Sequence, residues 1–406
     1  MKFPQIGPAF LVTAAFIGPG TVVTASIAGA NFGFSLLWAL LFSVIATIIL
    51  QEMTARLGIV TQQGLGENIR TACKHPVLRV GAICLVVSAI VVGNSAYQSG
   101  NIAGASLGLI GVFEQSIDTS TNLNALFSII IGLAAFLLLI TGSYKIIEKT
   151  LILLVTLMSL AFLFTFILTK PDLWKLFSGL FTPRIPDGAT LTVIALIGTT
   201  VVPYNLFLHA ASVAKKWQSP TQLSQARKDL YISIPLGGLI SMAILSTAAT
   251  AFFGQQLEIS SAGDIAPSLQ PLFGDSASLF LGLGLFAAGV SSAVTAPLAA
   301  AFALSGILNL SKDLHAKSFK AIWISVLFLG VAGASLGYKP VNIIWFAQVA
   351  NGILLPIVTL FLLWIMNTSA LGIYKNNKWQ NSLGFIVVLV SILLSGRSLM
   401  SAFGLI

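Results

Sequence analysis

Apolar residues fill eleven long runs of this chain, with charged or turn-forming residues between them. Each run is close to or longer than the roughly 20 residues that a helix needs to cross a bilayer. The predicted spans, numbered 1 to 11, are 8–30, 35–56, 77–106, 124–142, 148–169, 188–214, 230–253, 277–308, 319–336, 340–366 and 382–402. The pattern therefore predicts an all-α polytopic membrane protein with a single membrane domain over 1–406.

Two of these spans are interrupted by proline. Span 1 contains Gly-Pro-Gly-Thr at 18–21, and span 6 contains Val-Pro-Tyr-Asn at 202–205. Proline lacks a backbone N–H and clashes with the preceding turn, so each break should divide its span into two half-helices. Backbone groups freed in hydrocarbon are tolerated only where they face protein or a water-filled cavity. The two breaks indicate either a transporter binding site or a pair of kinked packing helices.

The order of the breaks predicts an internal repeat. Spans 1–5 and spans 6–10 each begin with an interrupted span. Because five is an odd number, the second unit must enter the membrane upside down relative to the first. We expect a first five-helix repeat over 1–169, a second, inverted repeat over 188–366, and an accessory helix 11 over 382–402.

The distribution of charged residues predicts how the chain is oriented in the membrane. Charged residues make up 8% of the chain, against about 25% in soluble domains, so no soluble domain fits beside the spans. The chain has 21 Lys and Arg residues, and 16 of them fall in one set of alternate loops. The opposite loops contain only Lys170, Lys175, Arg184 and Lys339, and span 11 contains Arg397. The positive-inside rule then places the N-terminus in the cytoplasm and the C-terminus outside, in what we expect is a bacterial plasma membrane. The net charge of +9 thus reflects topology, and no nucleic-acid partner is expected.

The 12 acidic residues all lie in predicted loops or near span ends. A dehydrated divalent cation prefers anionic oxygens, and proton relays usually use Asp, Glu or His. The middle of the predicted bundle offers no carboxylate, and no spacing typical of a hydrolase or a metal centre is present. We therefore expect no enzyme, no cofactor and no metal site of high affinity.

Neutral polar side chains form the candidate site. One face of span 3 carries, at helical spacing, Asn94, Tyr97, Gln98 and Asn101. Such a stripe either lines a pathway or hydrogen-bonds neighbouring helices, and His209 is either a satisfied interior residue or a proton site. The substrate-binding candidates are Gly18, Thr21, Thr199, Val202, Tyr204, Asn205, Gln348 and Asn351. The pathway-lining candidates are Asn94, Tyr97, Gln98 and His209, and the hinge candidates are Pro19, Gly20 and Pro203.

Several segments resemble the Nramp family of divalent-metal transporters. Residues 16–20 (FIGPG), 27–38 (IAGANFGFSLLW) and 51–61 (QEMTARLGIVT) are similar to the first two helices of that family. Residues 197–209 (IGTTVVPYNLFLH) are similar to its sixth helix and 287–295 (AAGVSSAVT) to its eighth. The resemblance implies a leucine-transporter-like 5+5 inverted repeat with broken helices 1 and 6, working by alternating access.

The chain departs from the family pattern at the residues that matter for chemistry. The family's Asp-Pro-Gly-Asn motif is Gly-Pro-Gly-Thr here, and its Met-Pro-His motif is Val-Pro-Tyr at 202–204. The acidic residues of the family's third helix align with Asn94 and Tyr97. Features that are kept include both prolines, Asn205, His209 and Gln348. The resemblance thus implies a transporter scaffold without the family's transition-metal ligands or proton-coupling acids.

Three functions remain open from the sequence. An Nramp-related transporter could move a cation that keeps part of its water shell, such as magnesium, because that ion dehydrates reluctantly. It could instead move a neutral or zwitterionic organic solute, with half-helix ends as charge complements. The third is a non-transporting sensor on the same fold. The expected partners are a small solute or ion and the lipid bilayer, and we expect a monomer.

Overall fold

The computed structural model describes residues 7–113, 121–141, 145–255 and 259–402, and their regular structure is helical. The α-helices are α1 (Pro8–Phe16), α2 (Pro19–Phe32), α3 (Leu37–Thr61), α4 (Leu65–Ala72), α5 (Pro76–Phe113), α6 (Thr121–Thr141), α7 (Lys145–Thr169), α8 (Leu173–Phe181), α9 (Thr190–Thr200), α10 (Pro203–Lys216), α11 (Leu223–Phe252), α12 (Ala262–Ile265), α13 (Gln270–Phe273), α14 (Ala277–Leu308), α15 (Lys317–Ala334), α16 (Pro340–Ile365) and α17 (Lys378–Ala402). Short 3₁₀ helices cover Gly33–Leu36, Pro220–Gln222, Ala266–Leu269, Gly274–Ser276 and Ser369–Tyr374.

Every predicted span corresponds to a helix or a pair of half-helices. Within the described part of the chain, ten stretches are long and apolar enough to cross a membrane. The first of them, Pro19–Thr61, contains both α2 and α3, so predicted spans 1 and 2 are counted together there. The prediction of an all-α polytopic membrane protein with eleven spans is confirmed.

Several helices are longer than the sequence pattern predicts. Helix α5 ends at Phe113 rather than at 106, and α3 continues to Thr61. At Gly108 an added Cβ atom would lie 2.4 Å from the main-chain nitrogen of Phe286, so the backbones of α5 and α14 touch. This packing keeps α5 helical beyond its predicted end, because small residues allow helices to approach closely in membranes.

Both predicted breaks are present. Ile17 leaves the helical region with ψ 68°, and Gly18 is extended, before α2 begins at Pro19. Val201 has ψ 73° and Val202 is extended, before α10 begins at Pro203. Each proline thus occupies the first position of a half-helix, where its missing N–H leaves no hydrogen bond unmade.

The broken spans lie inside the bundle rather than at its edge. Helix α16 contacts α5, α9 and α2, and α11 contacts α2 and α3. At Gly104 of α5 an added Cβ atom would lie 2.2 Å from the Cβ atom of Pro19, so the first break rests directly on α5. The helices that were predicted to carry polar stripes therefore surround the two breaks.

Acidic residues stay away from these breaks in the described structure. Because α3 runs to Thr61, Glu52 lies inside a helix rather than at its end, and it is buried in a network of arginines described below. Asp229 lies near the start of α11 and accepts a hydrogen bond from the backbone N–H of Ala9. Three acids assigned to loops by the sequence, Glu114, Asp118 and Glu258, lie outside the described residues.

Candidate functional site

The two breaks are joined by a hydrogen bond. The Thr21 Oγ1 atom on α2 lies 2.8 Å from the Thr199 Oγ1 atom on α9, although the two residues are 178 positions apart in the chain. Both side chains are 1% exposed. The half-helices that the sequence predicts as partners therefore meet at neutral hydroxyl groups.

Gln348 on α16 lies between the two breaks. An added Cβ atom at Gly20 would lie 2.3 Å from the Gln348 Nε2 atom, and one at Gly198 would lie 2.0 Å from the Gln348 main-chain oxygen. Both glycines are thus required for α16 to approach α2 and α9 this closely. The Nε2 atom makes one long hydrogen bond, 3.4 Å to the carbonyl of Ile344, and the Oε1 atom has no partner in the described structure.

Helix α5 covers the second break. The rings of Tyr97 and Tyr204 are in contact, with centroids 5.3 Å apart and planes inclined by 59°. Asn94 lies one turn before Tyr97 and is 2% exposed. On the facing helix α16, the Asn351 Oδ1 atom lies 3.7 Å from where a Cβ atom at Gly93 would be. Polar groups of α5, α10 and α16 therefore converge on the region between the breaks.

Buried amide atoms in this region lack hydrogen-bond partners among the residues described. They are both amide atoms of Asn205, the Nδ2 atoms of Asn94 and Asn351, and the Oε1 atom of Gln348. Leaving one such atom unpaired costs about 1–3 kcal/mol, so native proteins rarely tolerate several together. The concentration of unpaired donors and acceptors indicates that a ligand or water molecules complete this cluster. We call these four side chains the amide cluster.

The breaks also leave carbonyl oxygens without a helical donor. Because Pro19 and Pro203 have no N–H, the carbonyls of Ala15 and Thr199 lose the donor that a continuous helix would supply. No group of three or more His, Cys, Asp or Glu residues placed to hold a metal ion occurs within the described ranges. A ligand in this region would therefore meet neutral oxygens and amides.

The predicted pathway residues serve two different purposes. Gln98 donates from Nε2 to the carbonyl of Ala293 on α14 at 2.9 Å, and its Oε1 atom lies 3.4 Å from the Asn101 Nδ2 atom. His209 Nδ1 lies 3.2 Å from the Thr54 hydroxyl on α3. In this conformation Gln98 and His209 bridge helices, whereas Tyr97 contacts Tyr204 at the second break and Asn94, one turn away, has an unpaired Nδ2 atom.

A buried charged network is a feature that the sequence analysis missed. Glu52 accepts from Arg56 at 3.0 Å and from Arg227 of α11 at 2.7 Å. Arg56 also donates to the Tyr374 carbonyl at 2.8 Å and to Asn376 Oδ1 at 2.7 Å. The i, i+4 spacing of Glu52 and Arg56 was the available signal, but the other partners come from distant parts of the chain. The network ties together α3, α11 and the segment before α17.

The candidate site is closed to solvent. The candidate side chains for binding and for the pathway are no more than 2% exposed. Movement of helices is therefore needed for any ligand to enter or leave.

Two half-helix breaks that meet inside a bundle of this topology define a leucine-transporter-like membrane protein. The family model described as natural resistance-associated macrophage protein-like (Nramp) matches residues 9–401. The chain belongs to this family.

Relatives and solved structures agree with this assignment. The chain is 28% identical to the divalent metal cation transporter MntH of Klebsiella pneumoniae, covering 98% of this chain and 94% of that protein. The MntH protein of Yersinia pestis is also 28% identical, over 99% and 96% of the two chains. In fold, the chain is similar to a manganese transporter of Eremococcus coleocola (TM-score 0.77, 23% identity, 97% and 86% covered). It is also similar to MhsT in complex with L-phenylalanine (TM-score 0.67, 15% identity, 98% of each chain covered).

Proposed function

We propose that this protein is a secondary transporter that works by alternating access and carries a divalent cation that keeps part of its water shell, with Mg²⁺ as the substrate. The relatives that match nearly the whole chain are named divalent metal cation transporters, which supports a cation rather than an enzymatic role. The binding residues are the predicted ones at the two breaks and on α16. Residues 1–169 and 188–366 are, in this proposal, the two inverted repeats whose interface holds the transport site.

The observation that carries the proposal is the amide cluster, which is buried, incompletely hydrogen-bonded and uncharged. Water molecules held by Mg²⁺ are hydrogen-bond donors, and the unpaired Asn205 Oδ1 and Gln348 Oε1 atoms, with the threonine hydroxyls, are acceptors for them. The other unpaired atoms are Nδ2 donors, and rotation of those amides about their terminal bond presents an oxygen instead. Mg²⁺ gives up its waters reluctantly and is often bound with several of them in place. A neutral site of this kind suits a hydrated ion, which needs acceptors but no direct carboxylate ligand.

The same chemistry argues against a site for bare manganese or iron. A carboxylate next to a dication in a poorly solvated cavity contributes several kcal/mol, and neither break supplies one. Position 202 is valine, so the soft sulfur ligand that favours transition metals is also absent from the second break. Without those ligands, Mn²⁺ should have little advantage over Mg²⁺, and we expect their apparent affinities to agree within about tenfold.

Transport should also be independent of a proton gradient. Asn94 and Tyr97 occupy the positions on α5 that face the breaks, and neither side chain exchanges protons near neutral pH. His209 bridges α10 and α3 through Thr54. The membrane potential alone then drives the cation inward, with no coupled proton.

Proteoliposomes test this proposal directly. Vesicles that contain the purified protein and a Mg²⁺-sensitive dye should show Mg²⁺ uptake when the membrane potential is negative inside, without acidification of the lumen. Gln348→Ala should remove most of the uptake because it deletes an amide beside both breaks. Gln218→Ala removes an exposed amide far from the breaks and is the matched control.

Two results would overturn the proposal. One is quenching of a metal-sensitive dye by micromolar Mn²⁺ that Mg²⁺ does not compete with and that Thr21→Ala or Asn205→Ala abolishes. The other is uptake of a neutral or zwitterionic organic solute without any cation flux. Ligand binding without flux of any kind would instead favour the sensor function.

The topology is part of the proposal. The chain is an integral membrane protein, and the distribution of Lys and Arg supports a cytoplasmic N-terminus in a bacterial plasma membrane. A C-terminal fusion to alkaline phosphatase should be active and the same fusion to a fluorescent protein dark. The reverse pattern would contradict an outer C-terminus.

A further inference from the structure

A cavity of about 540 Å³ lies at the end of the bundle opposite the Glu52 network, between α8, the end of α2 and the end of α11. Its lining includes three of the four basic residues that the sequence assigns to the outer loops, namely Lys170, Lys175 and Arg184. Aromatic side chains of Phe32 and Phe253 also line it. The amide cluster contributes nothing to this lining, so the cavity is separate from the proposed transport site.

The charge in this cavity is not balanced. Asp172 is the one acid on its lining, and its Oδ1 atom already accepts from the backbone N–H groups of Trp174 and Lys175, at 3.0 and 3.3 Å. Its Oδ2 atom is 3.8 Å from the Lys175 Nζ atom. Three cations therefore share the cavity with one carboxylate that also caps α8. Like charges repel at short range, so this arrangement favours an additional anion.

The main chain at two of these basic residues is constrained. Lys170 has φ 45°, a left-handed conformation that glycine adopts far more easily than lysine. The carbonyl of Arg184 accepts a hydrogen bond from the Trp38 Nε1 atom at 2.9 Å, which fixes the segment after α8 against α3. The main chain thus places both residues beside the cavity, while their charged side chains stay exposed and able to meet a ligand.

Helix α8 indicates which anion belongs there. It carries an exposed row of large apolar residues: Leu173 (63% exposed), Trp174 (83%), Phe177 (54%) and Phe181 (69%). A short helix with such a face and with lysines near its N-terminal end lies in the interface of a membrane, with its apolar side toward the acyl chains. The cavity is then at the depth of the lipid headgroups, where the available anion is a lipid phosphate.

We propose that this cavity binds the phosphate headgroup of an anionic phospholipid, with Lys170, Lys175 and Arg184 as the charged contacts. The hydroxyls of Ser178 on α8 and of Thr182, the residue that follows α8, also line the cavity and can donate to phosphate oxygens. A lipid bound there would join α8 to the ends of α2 and α11. The inference does not depend on the identity of the transported substrate.

Thermal unfolding of the purified protein with added lipid tests the proposal. Phosphatidylglycerol should raise the midpoint of unfolding, and phosphatidylcholine at the same concentration should not. The triple variant Lys170→Gln, Lys175→Gln, Arg184→Gln should need at least about tenfold more phosphatidylglycerol for the same shift. The control removes three exposed lysines at the other end of the bundle, Lys317→Gln, Lys375→Gln and Lys378→Gln, and should respond like the parent protein.

A single-site variant and an inorganic phosphate series complete the test. Lys175→Gln alone changes a side chain that is 70% exposed, so it should fold normally and still weaken the lipid response if the triple variant is unstable. Inorganic phosphate is added in place of lipid in a parallel series. Equal responses of the triple variant and the control, or full protection by inorganic phosphate, would overturn the assignment of a phospholipid.

Discussion

The contact between Gly198 and α16 gives the sharpest test of how the site is built. In Gly198→Ala the new Cβ atom would lie 2.0 Å from the Gln348 carbonyl oxygen and 2.6 Å from the Gly352 nitrogen. Both are backbone atoms of a helix, so neither can rotate away. Restoring an ordinary contact of about 3.4 Å requires α9 and α16 to separate by roughly 1.4 Å, which is the difference between 3.4 and the present 2.0 Å.

A separation of that size should have two consequences. Overpacking of a tight interface costs about 1–3 kcal/mol of stability. Thr199 follows Gly198 directly, so a shift of α9 also displaces the Thr199 hydroxyl from its 2.8 Å contact with Thr21 on α2. We expect Gly198→Ala to lower the midpoint of thermal unfolding and to remove most Mg²⁺ uptake in proteoliposomes.

Gly81→Ala is the matched control for this experiment. Gly81 is also helical, but a Cβ atom there would have nothing within 4 Å. Alanine should therefore be neutral or stabilising by up to about 1 kcal/mol at that position, because it restricts the unfolded chain and favours the helix. The reasoning is refuted if Gly198→Ala unfolds at the same temperature as Gly81→Ala and transports as well.

Two other substitutions follow from contacts away from this interface. Glu52→Gln should lower the free energy of unfolding by about 3–5 kcal/mol, because it leaves Arg56, which is 2% exposed, without its buried partner. Denaturant unfolding should show this loss, whereas the surface control Asp275→Asn should unfold like the parent protein. Thr21→Val should lower the free energy of unfolding by about 1–3 kcal/mol, because it leaves the Thr199 hydroxyl without its partner. A double-mutant cycle with Thr199→Val should give a coupling energy of at least about 0.5 kcal/mol. Additive effects of the two threonine substitutions would mean that the hydroxyls do not form a functional contact.

The position of both breaks could be predicted because their cause is local. A proline in a membrane span removes a hydrogen bond whatever surrounds it, so Pro19 and Pro203 mark the ends of half-helices from sequence alone. The prediction that the candidate site is neutral also depends only on which residue types occupy the spans, and it stays a prediction.

The sequence could not predict which polar side chains of α5 hydrogen-bond to other helices and which do not. Asn94 and Gln98 are four residues apart and look equivalent in the sequence, but the Asn94 Nδ2 atom has no partner in the described structure while Gln98 donates to α14. That difference depends on the rotation of α5 against its neighbours, which is set by close approaches such as that of Gly108 to α14. Periodicity gives a face of a helix but not the partner of each side chain on it.

The Glu52 network could not be predicted either, because most of its members are far apart in the sequence. Asn376 is 320 positions from the arginine that it binds, and the acid that joins the network had the pattern of an ordinary residue near a span end. Only the tertiary arrangement of α3, α11 and the segment before α17 brings these groups together and buries them.

Titration calorimetry with Mg²⁺ and Mn²⁺ tests the central claim, that the site binds its ion through neutral groups. The parent protein should bind both ions with affinities that agree within about tenfold. The variant Gly18→Asp, Thr21→Asn, Val202→Met should gain at least about a hundredfold preference for Mn²⁺, because it adds a carboxylate and a thioether at the breaks. Gly18 has an extended backbone that aspartate can adopt without strain. Strong preference for Mn²⁺ in the parent protein, at micromolar concentration, would contradict the account.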